Sequence, residues 1–174
     1  MRLLTTNKMH NNDVLPKRKP NRLRGYDYSS AGSYHITICT KDKKELFWNN
    51  VGATCGRPQC EYTLSAYGKI VDNEIRKIPE VYPTIKIDKC VVMPNHVHMI
   101  ISIISDEFGR PQDAPTISRV IKQFKGSITK QIGFSVWQKG YNDHIIRCQA
   151  DYDETWQYID ENPLKWFLKK DERM

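Results

Sequence analysis

The sequence predicts an α+β sandwich, with helices packed on one or both faces of an antiparallel β-sheet. Three observations predict it. Alternating, β-branched segments recur along the chain, two of them separated only by Pro94 and Asn95, and the intervening stretches carry apolar residues at helical spacing. A tight turn joins only antiparallel neighbours, and a helix with one apolar stripe must bury it against another layer.

Residues 33–40 (SYHITICT) alternate and are rich in β-branched side chains, which predicts a first strand. Residues 49–60 are turn-rich and read as a loop. A helix is expected over 64–78, where Ile70, Val71, Ile75 and Ile78 form a stripe, with Pro79 expected to stop it. Strands are predicted over 84–93 and from His96 to Ile104, joined by the Pro94-Asn95 turn. A second loop covers 105–115. Residues 116–131 form an amphipathic helix with Ile117, Val120, Ile121, Phe124 and Ile128 on its apolar side. A short strand is expected over 143–147. The last helix is expected to open with Asp151 and Glu154 in capping-box-like spacing and to end or kink at Pro163. Gly-Arg-Pro-Gln occurs at 56–59 and again at 109–112, both times in a predicted loop, and two copies do not make a repeat architecture.

With 174 residues, 39% hydrophobic and 27% charged, the chain suits one globular domain. It has no apolar run of about 18 residues and no apolar signal segment in its first ten, so a cytoplasmic protein is expected. Five cysteines at irregular spacing, without a C-x-x-C pair, argue against a zinc ribbon or redox motif. Residues 1–24 carry seven basic side chains and one acid, so nearly all of the net charge of +7 lies there. They are expected to be a basic arm suited to a polyanion, ahead of a single domain over 25–174.

The pair His96 and His98 carries the chemistry. Side chains at i and i+2 of a strand share a face, so both imidazoles project together while Val97, Met99, Ile101 and Ile103 pack on the other side. Neutral imidazole is a common ligand for divalent cations, although two half-buried structural histidines would show the same spacing. Binuclear zinc hydrolases and cupins would need further ligands that do not follow here. A two-histidine phosphoesterase would need His-x-Thr twice. His35 and Thr37 supply one copy, but His98 stands where the second Thr belongs.

Among nine tyrosines, Tyr158 stands out by position. Tyr152, Trp156 and Ile159 fall within about 60° of arc and form the expected apolar stripe of the last helix, whereas Tyr158 lies roughly 100–120° away. Asn162 follows one turn later on the same side as Tyr158, offering an amide oxygen beside a phenol, and Glu161 is a competing ligand. A divalent cation held by His96, His98 and Asn162 would stabilise the charge that develops on a phosphate attacked by Tyr158.

The strings GYDYSSAGSYHITICT (25–40), VVMPNHVHMIISI (91–103), WQKGYNDHIIR (137–147) and WQYIDENPLKW (156–166) resemble the REP-associated tyrosine transposases. These are single-tyrosine members of the histidine-hydrophobic-histidine (HUH) transposases. The resemblance implies a ferredoxin-like sandwich with the histidine motif on a central strand. It implies Tyr158 as nucleophile, His96, His98 and Asn162 as ligands of magnesium or manganese, and a 5′-phosphotyrosine on single-stranded DNA. It further implies recognition of REP-type hairpins by a monomer or homodimer of a bacterial protein. Arg22, Arg24, Lys122 and Arg147 are expected to meet DNA backbone, and His144 to be structural. Two alternatives stay open: a hairpin-DNA-binding protein with little cleavage activity, and a two-histidine phosphoesterase.

Overall fold

A computed structural model describes residues 23, 25–28, 30–49, 62–104 and 115–171. The basic arm, apart from Leu23, and both Gly-Arg-Pro-Gln segments lie outside these residues, as do Arg22 and Arg24. In chain order the elements are β1 (Gly32–Cys39), a 3-10 turn (Lys41–Lys43), α1 (Ala66–Val81), β2 (Ile85–Met93), β3 (His96–Ile103), α2 (Ile117–Ile132), β4 (Asn142–Ile146) and α3 (Gln149–Asp171). The four strands form one antiparallel sheet in the order β2-β3-β1-β4. This is the ferredoxin-like βαββαβ arrangement with a third helix added. β3, the strand of the histidine pair, lies inside the sheet.

The two faces of the sheet differ. Tyr34, Ile36 and Ile38 of β1, with Val97, Met99 and Ile101 of β3, point to one side, where Val71, Ile75, Val120, Ile121 and Phe124 of α1 and α2 cover them. Every one of these is buried. Against the other face α3 sets Ile159, which meets Val91, Met93 and Ile100. Both helices on the closed face start as their sequences direct. Ser65 caps α1 by accepting from the Gly68 N–H at 3.1 Å, and Thr116 caps α2 by accepting from the Arg119 N–H at 3.3 Å. Gly68 also permits a close approach. A Cβ there would lie 2.1 Å from the carbonyl oxygen of Phe47, so only glycine lets α1 sit against that segment.

Pairing across β2 and β3 shifts between Ile87 and Lys89. The bulge changes the parity of the strand, so Ile85, Ile87, Cys90 and Val92 all serve the closed face while Lys89, Val91 and Met93 serve the other. Simple alternation over 84–93 does not reveal it.

Four expectations for the helices are corrected. Pro79 lies inside α1, which continues to Val81. Pro163 likewise lies inside α3, which continues to Asp171. A proline removes one N–H and strains one turn, and packing on either side can hold the helix across it. Beyond Pro163, Phe167 stacks on Trp48 at 5.4 Å and Lys165 pairs with Glu161 at 2.8 Å. The helix also begins at Gln149, two residues before the expected cap. Asp151 lies in its first turn, and its carboxylate accepts from the Arg147 N–H at 3.2 Å and lies 2.8 Å from His144 Nε2. Finally, of the expected stripe Ile159 is buried and Tyr152 packs with it, joined by Thr155, Asn162 and half-buried Trp166, whereas Trp156 is exposed with the Lys89 ammonium 4.9 Å from its ring.

Candidate active site

The Pro94-Asn95 turn presents the histidine pair and is held from outside the hairpin. Pro94 O accepts from the Leu46 N–H at 2.8 Å and the Phe47 N–H at 3.1 Å, while Asn95 O accepts from the Thr40 N–H at 2.9 Å. These bonds satisfy turn carbonyls that a free hairpin would leave to water.

His96 and His98 project from the face that α3 partly covers, with ring centroids 4.6 Å apart. His96 Nδ1 lies 2.6 Å from Asn95 Oδ1, an acceptor, so Nδ1 carries the proton and Nε2 keeps its lone pair. His98 is 3% exposed. Its Nδ1 lies 3.0 Å from Thr37 Oγ1 and 3.1 Å from His35 Nε2, while its Nε2 is enclosed without a hydrogen-bond partner. With the proton on Nδ1, either neighbour accepts and Nε2 is again the free lone pair. Metal-binding histidines have the same arrangement, one nitrogen fixed by an acceptor and the other turned to the ion.

Burial lowers all three imidazoles. His98 falls to about 3, through burial first and then the neighbouring His96 and His35. His96 falls to about 4 through burial and the Lys43 charge. His35 also falls to about 4, through burial and then His144, with Asp151 opposing. All three are therefore neutral near pH 7, the form that ligates a cation.

The Tyr158 ring lies edge-on to His98 at 5.3 Å and to His35 at 5.9 Å, and the residue is 43% exposed. A side chain that touches buried imidazoles yet remains open to solvent can meet a macromolecular substrate. Asn162, one turn on, is buried, and Trp166 packs 6.0 Å from His96. Glu161 turns to the surface instead, bonded to Gln157 at 2.7 Å and paired with Lys165. Among the described residues no three His, Cys, Asp or Glu side chains gather as a metal cluster. The unpartnered Nε2 of His98 fits a cation, and Asn162 would add an amide oxygen to the two imidazoles.

Of the expected DNA contacts, Lys122 and Arg147 lie among the described residues, and these two are not brought together. Lys122 lies exposed on α2, whose apolar side covers the opposite face of the sheet. Arg147, just past β4, lines a cavity of about 330 Å³ with His144 and Asp151. Sequence reasoning did not find His35 and Thr37 as partners of His98. They become visible only through the β1–β3 register, which pairs Thr37 with His98. Among the described residues no helix is long and apolar enough to cross a membrane.

No family model matches the chain. An uncharacterised protein of Haemophilus influenzae is 34% identical over 168 residues, covering 86% of this chain and 89% of that protein. A second Haemophilus influenzae protein, provisionally named a REP-associated tyrosine transposase, is 20% identical over 80% of this chain and 74% of its own length. Among solved structures, a REP-associated tyrosine transposase bound to a REP hairpin superimposes with a TM-score of 0.60 at 23% identity, over 83% of this chain and 73% of that one. The chain therefore belongs to one family with the first Haemophilus influenzae protein, and its fold is that of the REP-associated tyrosine transposases.

Proposed function

We propose that this protein is a metal-dependent endonuclease that cuts and rejoins single-stranded DNA, with REP-type hairpins as the substrate class, through a covalent 5′-phosphotyrosine on Tyr158. One observation carries the reading: a solvent-open tyrosine lies against a buried neutral histidine whose enclosed Nε2 has no partner. The hairpin held by the solved structural relative supports the choice of substrate.

His96, His98 and Asn162 would hold one Mg²⁺ or Mn²⁺, which when bound supplies charge stabilisation at the scissile phosphate. The chain's own groups do the rest. Asn95 sets the His96 tautomer, Thr37 and His35 hold the His98 ring, and Ile159 anchors the helix that carries Tyr158. The Tyr158 oxygen attacks phosphorus and gives up its proton to solvent. The bond from phosphorus to the 3′ oxygen breaks, and that oxygen leaves as a 3′-hydroxyl after taking up a proton. Attack by a 3′-hydroxyl on the phosphotyrosine reverses both changes and reseals the strand.

The test is incubation with a labelled single-stranded hairpin and Mg²⁺, followed by a denaturing gel. A covalent adduct that disappears in Tyr158→Phe and after chelation is the expected result. Tight binding without an adduct would indicate a hairpin-binding protein. Hydrolysis that survives Tyr158→Phe but is lost in His35→Ala would indicate a two-histidine phosphoesterase.

A further inference from the structure

A cavity of about 360 Å³ opens where β1 ends, lined by Lys41, Asp42, Lys43, Ser135, Trp137 and Lys139. Three lysines and one aspartate thus contribute to its wall. None of the three lysines forms a salt bridge with a described residue. Trp137 is buried and its enclosed indole N–H has no acceptor, a donor that burial normally leaves unmet only at a cost.

The walls are built rather than incidental. The Lys41 N–H donates to Val136 O at 2.8 Å and the Gln138 N–H to Cys39 O at 2.9 Å, which fastens the segment after α2 to the end of β1. Lys125 Nζ donates to the carbonyls of Gln138 and Gly140 at 2.7 and 2.8 Å, so its charge holds the loop. Trp137 is wedged between Phe47 and Phe124. Asp42 and Lys43 both hold a left-handed backbone, with φ of 57° and 52°, an uncommon conformation away from glycine.

The cavity also adjoins the histidine pair. Asn95 Nδ2 donates to Lys43 O at 3.2 Å while Asn95 Oδ1 accepts from His96 Nδ1 at 2.6 Å, so one side chain ties the lysine turn to the first proposed ligand. Lys43 is near enough for its charge to disfavour protonation of His96. We infer that this cavity is a phosphate subsite, holding a backbone phosphodiester of the DNA strand that Tyr158 attacks. The inference rests on the cleavage reading for which strand is attacked, but its ligand chemistry, a nucleic-acid phosphate, is independent of cleavage. Surplus positive charge in a preformed concavity is the ordinary means by which proteins position a strand without reading its sequence.

The experiment uses the full chain carrying Tyr158→Phe, so that binding is measured without cutting. Lys41, Lys43 and Lys139 are replaced by Gln singly and together, and affinity for a fluorescent single-stranded oligonucleotide is followed against salt. Each lysine that meets a phosphate should lower the slope of log K on log salt by about 0.7. Lys86→Gln, at the far end of the sheet, should leave it unchanged. Independently, the indole ¹⁵N–¹H resonance of Trp137, assigned through Trp137→Phe, should shift when oligonucleotide is added. An unchanged slope in the triple variant with a silent indole overturns the subsite. An indole shift of equal size with inorganic phosphate at equal concentration overturns the nucleic-acid assignment in favour of a free anion. A reduced slope in a protein that forms no tyrosine adduct upholds the subsite while refuting cleavage, and an adduct with an unchanged slope does the reverse.

Discussion

His98 and His96 are two residues apart, yet their surroundings make them different groups. His96 is fixed by a neighbour in sequence, Asn95, whereas His98 is fixed by Thr37 and His35, more than 60 residues earlier. The pair was legible in the sequence because strand periodicity is local. The partners were not, because a strand register is set by contacts between distant segments and by the turn that aligns them. If His35 fixes the His98 ring, its removal should weaken cation binding even though His35 is not itself a proposed ligand. His35→Ala is expected to lower Mn²⁺ affinity by about 10- to 100-fold, measured by isothermal titration calorimetry. An unchanged affinity would show that Thr37 alone suffices. Acid stability follows from the same three rings. Their folded-state values, about 3 to 4, lie below the ordinary 6.5. Below pH 6.5 the unfolded chain therefore binds protons that the folded chain refuses. Their contribution to stability is fully present above 6.5 and is lost as pH falls toward 3 to 4. The urea midpoint of chelator-treated protein should drop between about pH 7 and about pH 5, and a midpoint that holds steady would contradict the burial of these groups.

At the scale of elements, α3 is where sequence and structure diverge most. Angular placement correctly set Tyr158 apart from the packed side. The packed side holds Ile159 and Tyr152 as expected but takes Thr155 in place of Trp156, which lies outside. A large aromatic side chain looks like core in a sequence, but here Lys89 offers Trp156 a cationic cover at the surface and Thr155 fits under the helix. Pro163 misled for a related reason. Local rules weigh the missing N–H, whereas the stacking of Phe167 on Trp48 is a contact across the fold. Ile159 is the fully buried anchor of this helix, and Tyr158 is its neighbour. Ile159→Ala should cost about 2–5 kcal/mol in urea unfolding. It should also reduce adduct yield at temperatures where the variant is still folded, because the tyrosine loses its support. Full adduct yield in a destabilised variant would mean that Tyr158 is positioned by other contacts.

The whole molecule is a sheet with two unlike faces. The closed face was readable from alternation in β1 and β3 and from the stripes of α1 and α2, since burying apolar surface is what those patterns are for. The strand order was not, because no residue pattern states that β1 inserts between β3 and β4; the family resemblance implied only that the histidine strand is central. The two faces nevertheless communicate through backbone. α1 rests on the Phe47 carbonyl because residue 68 has no side chain, and the Phe47 N–H in turn bonds to Pro94 at the root of the histidine strand. Gly68→Ala should therefore behave against helix propensity, which favours alanine by about 1 kcal/mol. A lowered urea midpoint together with weakened Mn²⁺ binding is expected, and a raised midpoint with binding intact would refute the coupling. The absent methyl at 68 thus acts as a gauge block: its thickness, on the closed face of the sheet, sets the height at which the first proposed ligand is offered on the face beneath α3.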